Sequence, residues 1–198
     1  MKNNRKKCNL NQLAEIMPII SKIEQGGSIG GDYYYSTSGE RLGQRGTGES
    51  LRICTDEVWN RYQCLGETGL NSNGASLFNN AKTEWKNNVM SSITGKRSEM
   101  YYKYDYYESG NYVGATGIIG MNAYGEVSRS SNYFMIMSVL EHEKAHSIDT
   151  DGKTFDQREY NAYRAQVFGD YFDRCPDEYK LRVLQTYLDY YSKVYGGR

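Results

Sequence analysis

The two histidines of this 198-residue chain lie four positions apart, in the string His142-Glu143-Lys144-Ala145-His146. Residues four apart share one face of an α-helix, so both imidazoles can offer a nitrogen to one metal ion. Glu143 is then offset toward the position of an attacking water. Two histidines scattered at random would be four apart in roughly one chain in a hundred, and a glutamate directly after the first makes the coincidence roughly tenfold rarer. The chemistry implied is metal-assisted hydrolysis, with Zn2+ as the cofactor and Glu143 as the general base.

A catalytic zinc takes three protein ligands and leaves one position open, and the chain has no third histidine. The third ligand is therefore expected to be a carboxylate. Thr154-Phe155-Asp156-Gln157 has capping-box spacing, which predicts a helix starting near Phe155 with Glu159 in its first turns. Ala162, three residues on, would let that helix approach closely, and Glu159 is the preferred ligand. Asp149 competes because it follows His146 by three residues, although a place in the loop after the helix or behind the ligands suits it better. Asp151 and Asp156 are weaker candidates, since Asp151-Gly152 reads as a turn and Asp156 sits in a cap region.

The string His142-Glu143-Lys144-Ala145-His146 followed by Glu159-Tyr160-Asn161-Ala162 resembles the gluzincin group of zincin metallopeptidases, over about 20 residues. The resemblance implies zinc on His142, His146 and Glu159, Glu143 as general base, and a peptide or protein substrate. The separation of His146 from Glu159 is shorter than in thermolysin-like members. Metzincins fit less well, because they carry glycine where this chain has Asp149 and a third ligand where it has Gly152. Asn122-Ala123-Tyr124 is similar to the edge-strand segment with which thermolysin-like enzymes hold the substrate backbone. A plain strand running into a Tyr124-Gly125 turn reads equally well there. A tyrosine would supply the oxyanion donor, with Tyr160, Tyr163 and Tyr124 as candidates. The alternative to an enzyme is a zinc-holding interaction module on a zincin scaffold.

A second resemblance lies in Asp32-Tyr33-Tyr34, Gly39, Leu42-Gly43, Gly46 and Leu51-Arg52-Ile53. This glycine- and tyrosine-rich run looks like the segment that follows the repeat core of RHS-repeat-associated bacterial proteins and leads into a toxin or effector domain. It implies a bacterial effector, with an inhibitor or immunity protein as a possible partner.

These residues need positioning elements. The predicted fold class is α+β, zincin-like: a small, mostly antiparallel sheet over about 100–137, then the His142–His146 helix and two further helices. Ser138-Val139-Leu140-Glu141 has capping-box spacing and predicts that the metal helix spans about 139–148. The next helices are expected over about 155–172 and from Pro176 to about 195, the last with a stripe of Leu181, Leu184, Leu188 and Tyr191 facing the core. Ser76 is expected to cap a helix ended by Gly95. Residues 32–43 read as a hairpin, residues 10–24 as one kinked or two short helices, and Ser109-Gly110-Asn111 as a turn. The chain divides into residues 1–50, a helical and glycine/tyrosine-rich segment, and 51–198, the zincin-like domain.

Acidic and basic residues balance to a formal net charge of zero, so no global field draws the protein to nucleic acid or an anionic membrane. No apolar run reaches membrane-span or signal-peptide length, which predicts a cytoplasmic protein or one delivered without a signal peptide. Cys8, Cys54, Cys64 and Cys175 lack the close pairing of a structural zinc knot and read as buried thiols.

Overall fold

The structure, a computed structural model, describes residues 31–62, 67–102, 111–113, 117–149 and 153–196. The expected helix at 10–24, Cys8, Cys64, most of the turn at 109–111 and the Asp151-Gly152 turn lie outside these residues. The chain is α+β.

Strands β1 (Asp32–Ser36), β2 (Arg41–Arg45), β3 (Leu51–Cys54) and β4 (Ser76–Leu77) form a first sheet in the order β2-β1-β3-β4. The β1–β2 hairpin is present as expected, but β1 and β3 run parallel, so the sheet is mixed. The division after position 50 falls inside this sheet. Its turn contains Gly39 at φ 96°, in the left-handed region, where a Cβ would stand 2.4 Å from the Asn88 carbonyl oxygen. Asp32 is buried and closes the far end of β1 by pairing with Arg52 and accepting from the Ser50 N–H at 2.9 Å.

Short helices α1 (Asp56–Tyr62) and α2 (Glu67–Ser72) follow β3, and after β4 a 3-10 turn (Phe78–Asn80) leads into α3 (Thr83–Thr94). Ser76 is in the strand rather than at a cap, and the helix starts only at Thr83. Gly95 ends α3 in the left-handed conformation, as its place in the sequence implies. A second, three-stranded sheet has β7 (Ile118–Asn122) between β5 (Ser98–Tyr101), parallel to it, and β6 (Asn111–Val113), antiparallel to it. The mostly antiparallel sheet expected over 100–137 is thus smaller and mixed.

After the short helix α4 (Glu126–Ser130), α5 spans Tyr133–Ile148, six residues earlier than the capping-box spacing implied. Asn132 is the actual cap, its side-chain oxygen accepting from the Met135 N–H at 3.0 Å. Ser138 is completely buried in mid-helix. The reason is that Tyr133 to Ser138 are buried without interruption, and a helix covered all round carries no 3.6-residue stripe to betray it. Helix α6 (Phe155–Val167) begins with the predicted Thr154–Gln157 capping box and ends five residues short of 172. Helix α7 (Asp177–Tyr195) turns its expected stripe inward only in part: Leu184 and Leu188 pack against the core. Leu181 is 67% exposed and Tyr191 41%, while Tyr179, Val183 and Tyr187 are buried. The phenol rings of this tyrosine-rich helix, longer than leucine, fill the groove against α6.

One core joins the first sheet, α3, the second sheet and helices α5 to α7, with Leu51, Phe78, Met90, Ile119, Phe134 and Leu140 among its fully buried side chains. Tyr33 stacks on Tyr133 at a ring separation of 3.6 Å, tying β1 to the start of α5. Backbone bonds from Leu51 N–H to the Ser131 carbonyl and from Tyr133 N–H to the Glu49 carbonyl anchor the same junction. Cys54 and Cys175 are buried free thiols. Among the described residues, no helix is long and apolar enough to cross a membrane.

Candidate metal centre

Helix α5 carries His142 and His146 one turn apart on the face that packs against α6, and α6 presents Glu159 from its second turn. The two Nε2 atoms are 3.1 Å apart. Glu159 lies 3.2 Å from His146 Nε2 through Oε1 and 3.8 Å from His142 Nε2 through Oε2. One ligand atom from each of the three residues falls within a 4.8 Å cluster, and among the described residues this is the group of that kind. Ala162, one turn beyond Glu159, is buried at the helix contact.

The donor set suits zinc. Two ligand atoms bonded to one tetrahedral zinc at about 2.1 Å are about 3.4 Å from each other. The Nε2–Nε2 separation of 3.1 Å and the His146 Nε2–Glu159 Oε1 separation of 3.2 Å are close to that value, while the other carboxylate oxygen lies 3.8 Å from His142 Nε2. The side chains keep 10–18% of their surface accessible, which leaves a way in for water and ligand.

The electrostatics favour neutral imidazole at one position and an ion pair at the other. Burial, reinforced by the charge of His146, pushes the His142 pKa down to about 3, so this ring keeps its lone pair at any ordinary pH. Burial would also lower His146, but the hydrogen bond and charge of Glu159 outweigh it and hold His146 above the usual histidine value. The Glu159 carboxyl is correspondingly held below its usual range: burial opposes ionisation, and the His146 contact overcomes it. Protons therefore hold to His146 more strongly than to an ordinary histidine, and a cation at this position would compete with them.

Around these three, Glu143 is 2% exposed and near enough to His146 and Tyr163 for its charge to act on both. The far nitrogen of His142, Nδ1, is buried without a hydrogen-bond partner. The Gln166 carboxamide is close enough to favour the charged form of the ring, though not in bonding geometry. Gln166 is itself held by donating to Ser138 Oγ at 3.2 Å and to the Tyr179 hydroxyl at 2.8 Å. The spacing that suggested a cap at Ser138 thus conceals a buried polar link between α5, α6 and α7.

Of the three tyrosines considered, only Tyr163 meets the histidines. Its ring centre is 4.4 Å from that of His142, nearly perpendicular to it, and burial followed by the charge of Glu159 pushes its phenol up to about 12. Tyr160 stacks on Tyr187, and Tyr124 packs edge-on to Tyr102. Tyr190 is the residue that sequence reasoning missed. It stacks on Tyr163 at 5.6 Å, and burial and then the charge of Glu159 raise its phenol. Nothing local marks it among the tyrosines of α7.

Asn122 ends the inner strand of its sheet rather than an edge strand, and Ala123-Tyr124 follow in a turn. Ala123 N–H donates to the Tyr101 carbonyl, and the Asn122 carbonyl accepts from Ser128 Oγ at 2.8 Å. The Asn122 side chain accepts from the Tyr124 N–H at 2.9 Å, so the segment turns back on itself. Asp149 is at the C-terminal end of α5, and both its oxygens are engaged: Oδ1 by Lys153 Nζ at 2.6 Å and Oδ2 by Asn161 Nδ2 at 2.7 Å. Asp156 lies in the first turn of α6. Comparison of the chain with known protein families, curated proteins and solved structures returned no match.

Proposed function

We propose that the protein is a zinc-dependent metallopeptidase of zincin type, with His142, His146 and Glu159 as ligands and Glu143 as general base. The observation that carries this reading is the convergence of three correctly typed donors, from two helices, at separations matching a tetrahedral site. A bound zinc would supply Lewis acidity and lower the pKa of a water.

The chain's own residues do the rest. His142 is kept neutral by burial, and His146 gives up its proton to bind. Glu143, directly after the first ligand and shielded from bulk solvent, takes a proton from the attacking water and returns it to the leaving amine. Tyr163 keeps its hydroxyl proton at neutral pH and is the candidate donor toward the developing oxyanion. Delivery as a bacterial effector, and neutralisation by an immunity protein, rest on the resemblance of the 32–53 segment alone.

The test begins with elemental analysis of the purified protein, expected to give about one zinc per chain. Wild type, chelated wild type and Glu143→Gln are then compared on unfolded casein and peptide libraries. The variant should keep its zinc and fold but lose at least roughly a hundredfold in turnover, the lower end of what a positioned general base contributes. Equal cleavage by Glu143→Gln would overturn the mechanism. Zinc without cleavage, and a silent Glu143→Gln, would favour a metal-holding interaction module.

A further inference from the structure

Resting on that metal site, we infer that Asp149 and Asn161 form a brace that sets the direction of Glu159, making Asn161 a positioning residue for the metal. The chain has only 12 residues between His146 and Glu159 in which to leave one helix and enter the next. Within that span Asp149 terminates α5 and reaches across to Asn161 on α6, while Lys153 ties back to the same carboxylate from the connecting segment. The carboxylate is 13% exposed, and its pKa is held below the usual range by Lys153 first and Asn161 second, so it is ionised throughout the working pH range.

The direction of the contacts gives the brace its function. At 3.6 residues per turn, side chains two positions apart point about 200° from each other around the helix axis. Glu159 engages the histidines on one flank of α6, and Asn161 engages Asp149 on the other. The helix is therefore held on two sides, by the histidines of α5 and by Asp149 at its C-cap, and rolling about its own axis would break one of these contacts. With a side-chain radius of about 5–6 Å, a roll of about 10° moves the Glu159 carboxylate by about 1 Å. A metal bond tolerates displacements of only about 0.2 Å. The Asp149–Asn161 bond thus makes a preformed site out of two helices joined by a short connection.

The experiment measures cobalt and zinc affinity by competition with a chromophoric chelator, with the visible spectrum of the cobalt form as a report of coordination geometry. Wild type, Asn161→Ala, Asp149→Asn and Lys153→Ala are compared at one pH. Asn161→Ala should bind about tenfold more weakly, at the lower end of what residues supporting metal ligands contribute, and should show an altered cobalt spectrum. Asp149→Asn retains an acceptor for Asn161 and Lys153→Ala leaves that bond intact, so both should stay within about threefold of wild type. Asn161→Ala binding as tightly as wild type, with an unchanged spectrum, overturns the inference even if its melting temperature falls. Equal losses in Asn161→Ala and Lys153→Ala also overturn it, because the effect would then be a general loosening of the segment around Asp149 rather than loss of the Asp149–Asn161 bond. Wild type that binds neither metal overturns the site itself.

Discussion

Replacing Glu159 by alanine separates the metal site from a chance cluster of polar side chains. The carboxylate makes the 3.2 Å contact to His146 and is the one acidic ligand of the three. Four-ligand zinc sites bind with about 10–16 kcal/mol, or about 3 kcal/mol per ligand. At about 1.4 kcal/mol per decade, losing one ligand should weaken zinc binding by about two orders of magnitude. A second effect works in the opposite direction. Glu159 raises the His146 pKa, so below that raised pKa a proton competes with the metal and affinity in the wild type falls about tenfold per pH unit. Without Glu159, burial lowers the His146 pKa and proton competition sets in at more acid pH. The gap between wild type and variant should therefore be widest above the raised His146 pKa and should narrow as pH falls through it. Zinc affinity measured by chelator competition at pH 8 and pH 6 checks both the size and the trend. A variant that binds like wild type at pH 8, or a gap that widens on acidification, would refute the assignment of Glu159 as ligand.

Two further outcomes are expected. Because the folded-state pKa of His142 is about 3, the unfolded chain binds a proton that the folded chain does not between about pH 6.5 and 3. The metal-free protein should lose this contribution as pH falls through that window, and the urea midpoint of His142→Asn should depend less on acid than that of wild type; an identical pH dependence would show that His142 is not buried neutral. Gly39→Ala should destabilise the fold by about 2 kcal/mol or more, because alanine is strained at φ 96° and its Cβ would meet the Asn88 carbonyl at 2.4 Å. A denaturation midpoint within error of wild type would show that the hairpin does not dock on α3 as described.

Features that depend only on neighbouring residues could be read before the fold was known. The α+β class, the hairpin of β1 and β2, the end of α3 at Gly95 and the capping box at Thr154 follow from turn glycines and from a side chain bonding to the backbone three positions away. The metal-ligand candidates were equally legible: His142 and His146 needed only helical spacing, and Glu159 only a nearby helix start. Tertiary structure decided what depends on distant partners. The early start of α5 was hidden because both faces of its first turns are buried, by the first sheet, the second sheet and α6, which erases the periodic signal. The parallel pairing of β1 with β3 and of β5 with β7 depends on long-range register, for which short strands carry no local mark. The selection of Tyr163 from among three candidate tyrosines, the place of Tyr190 beside it, and the engagement of Asp149 by Asn161 rather than by a metal all arise where α5, α6 and α7 pack together. Chemically identical side chains along a helix are told apart only by what the neighbouring helix places against them.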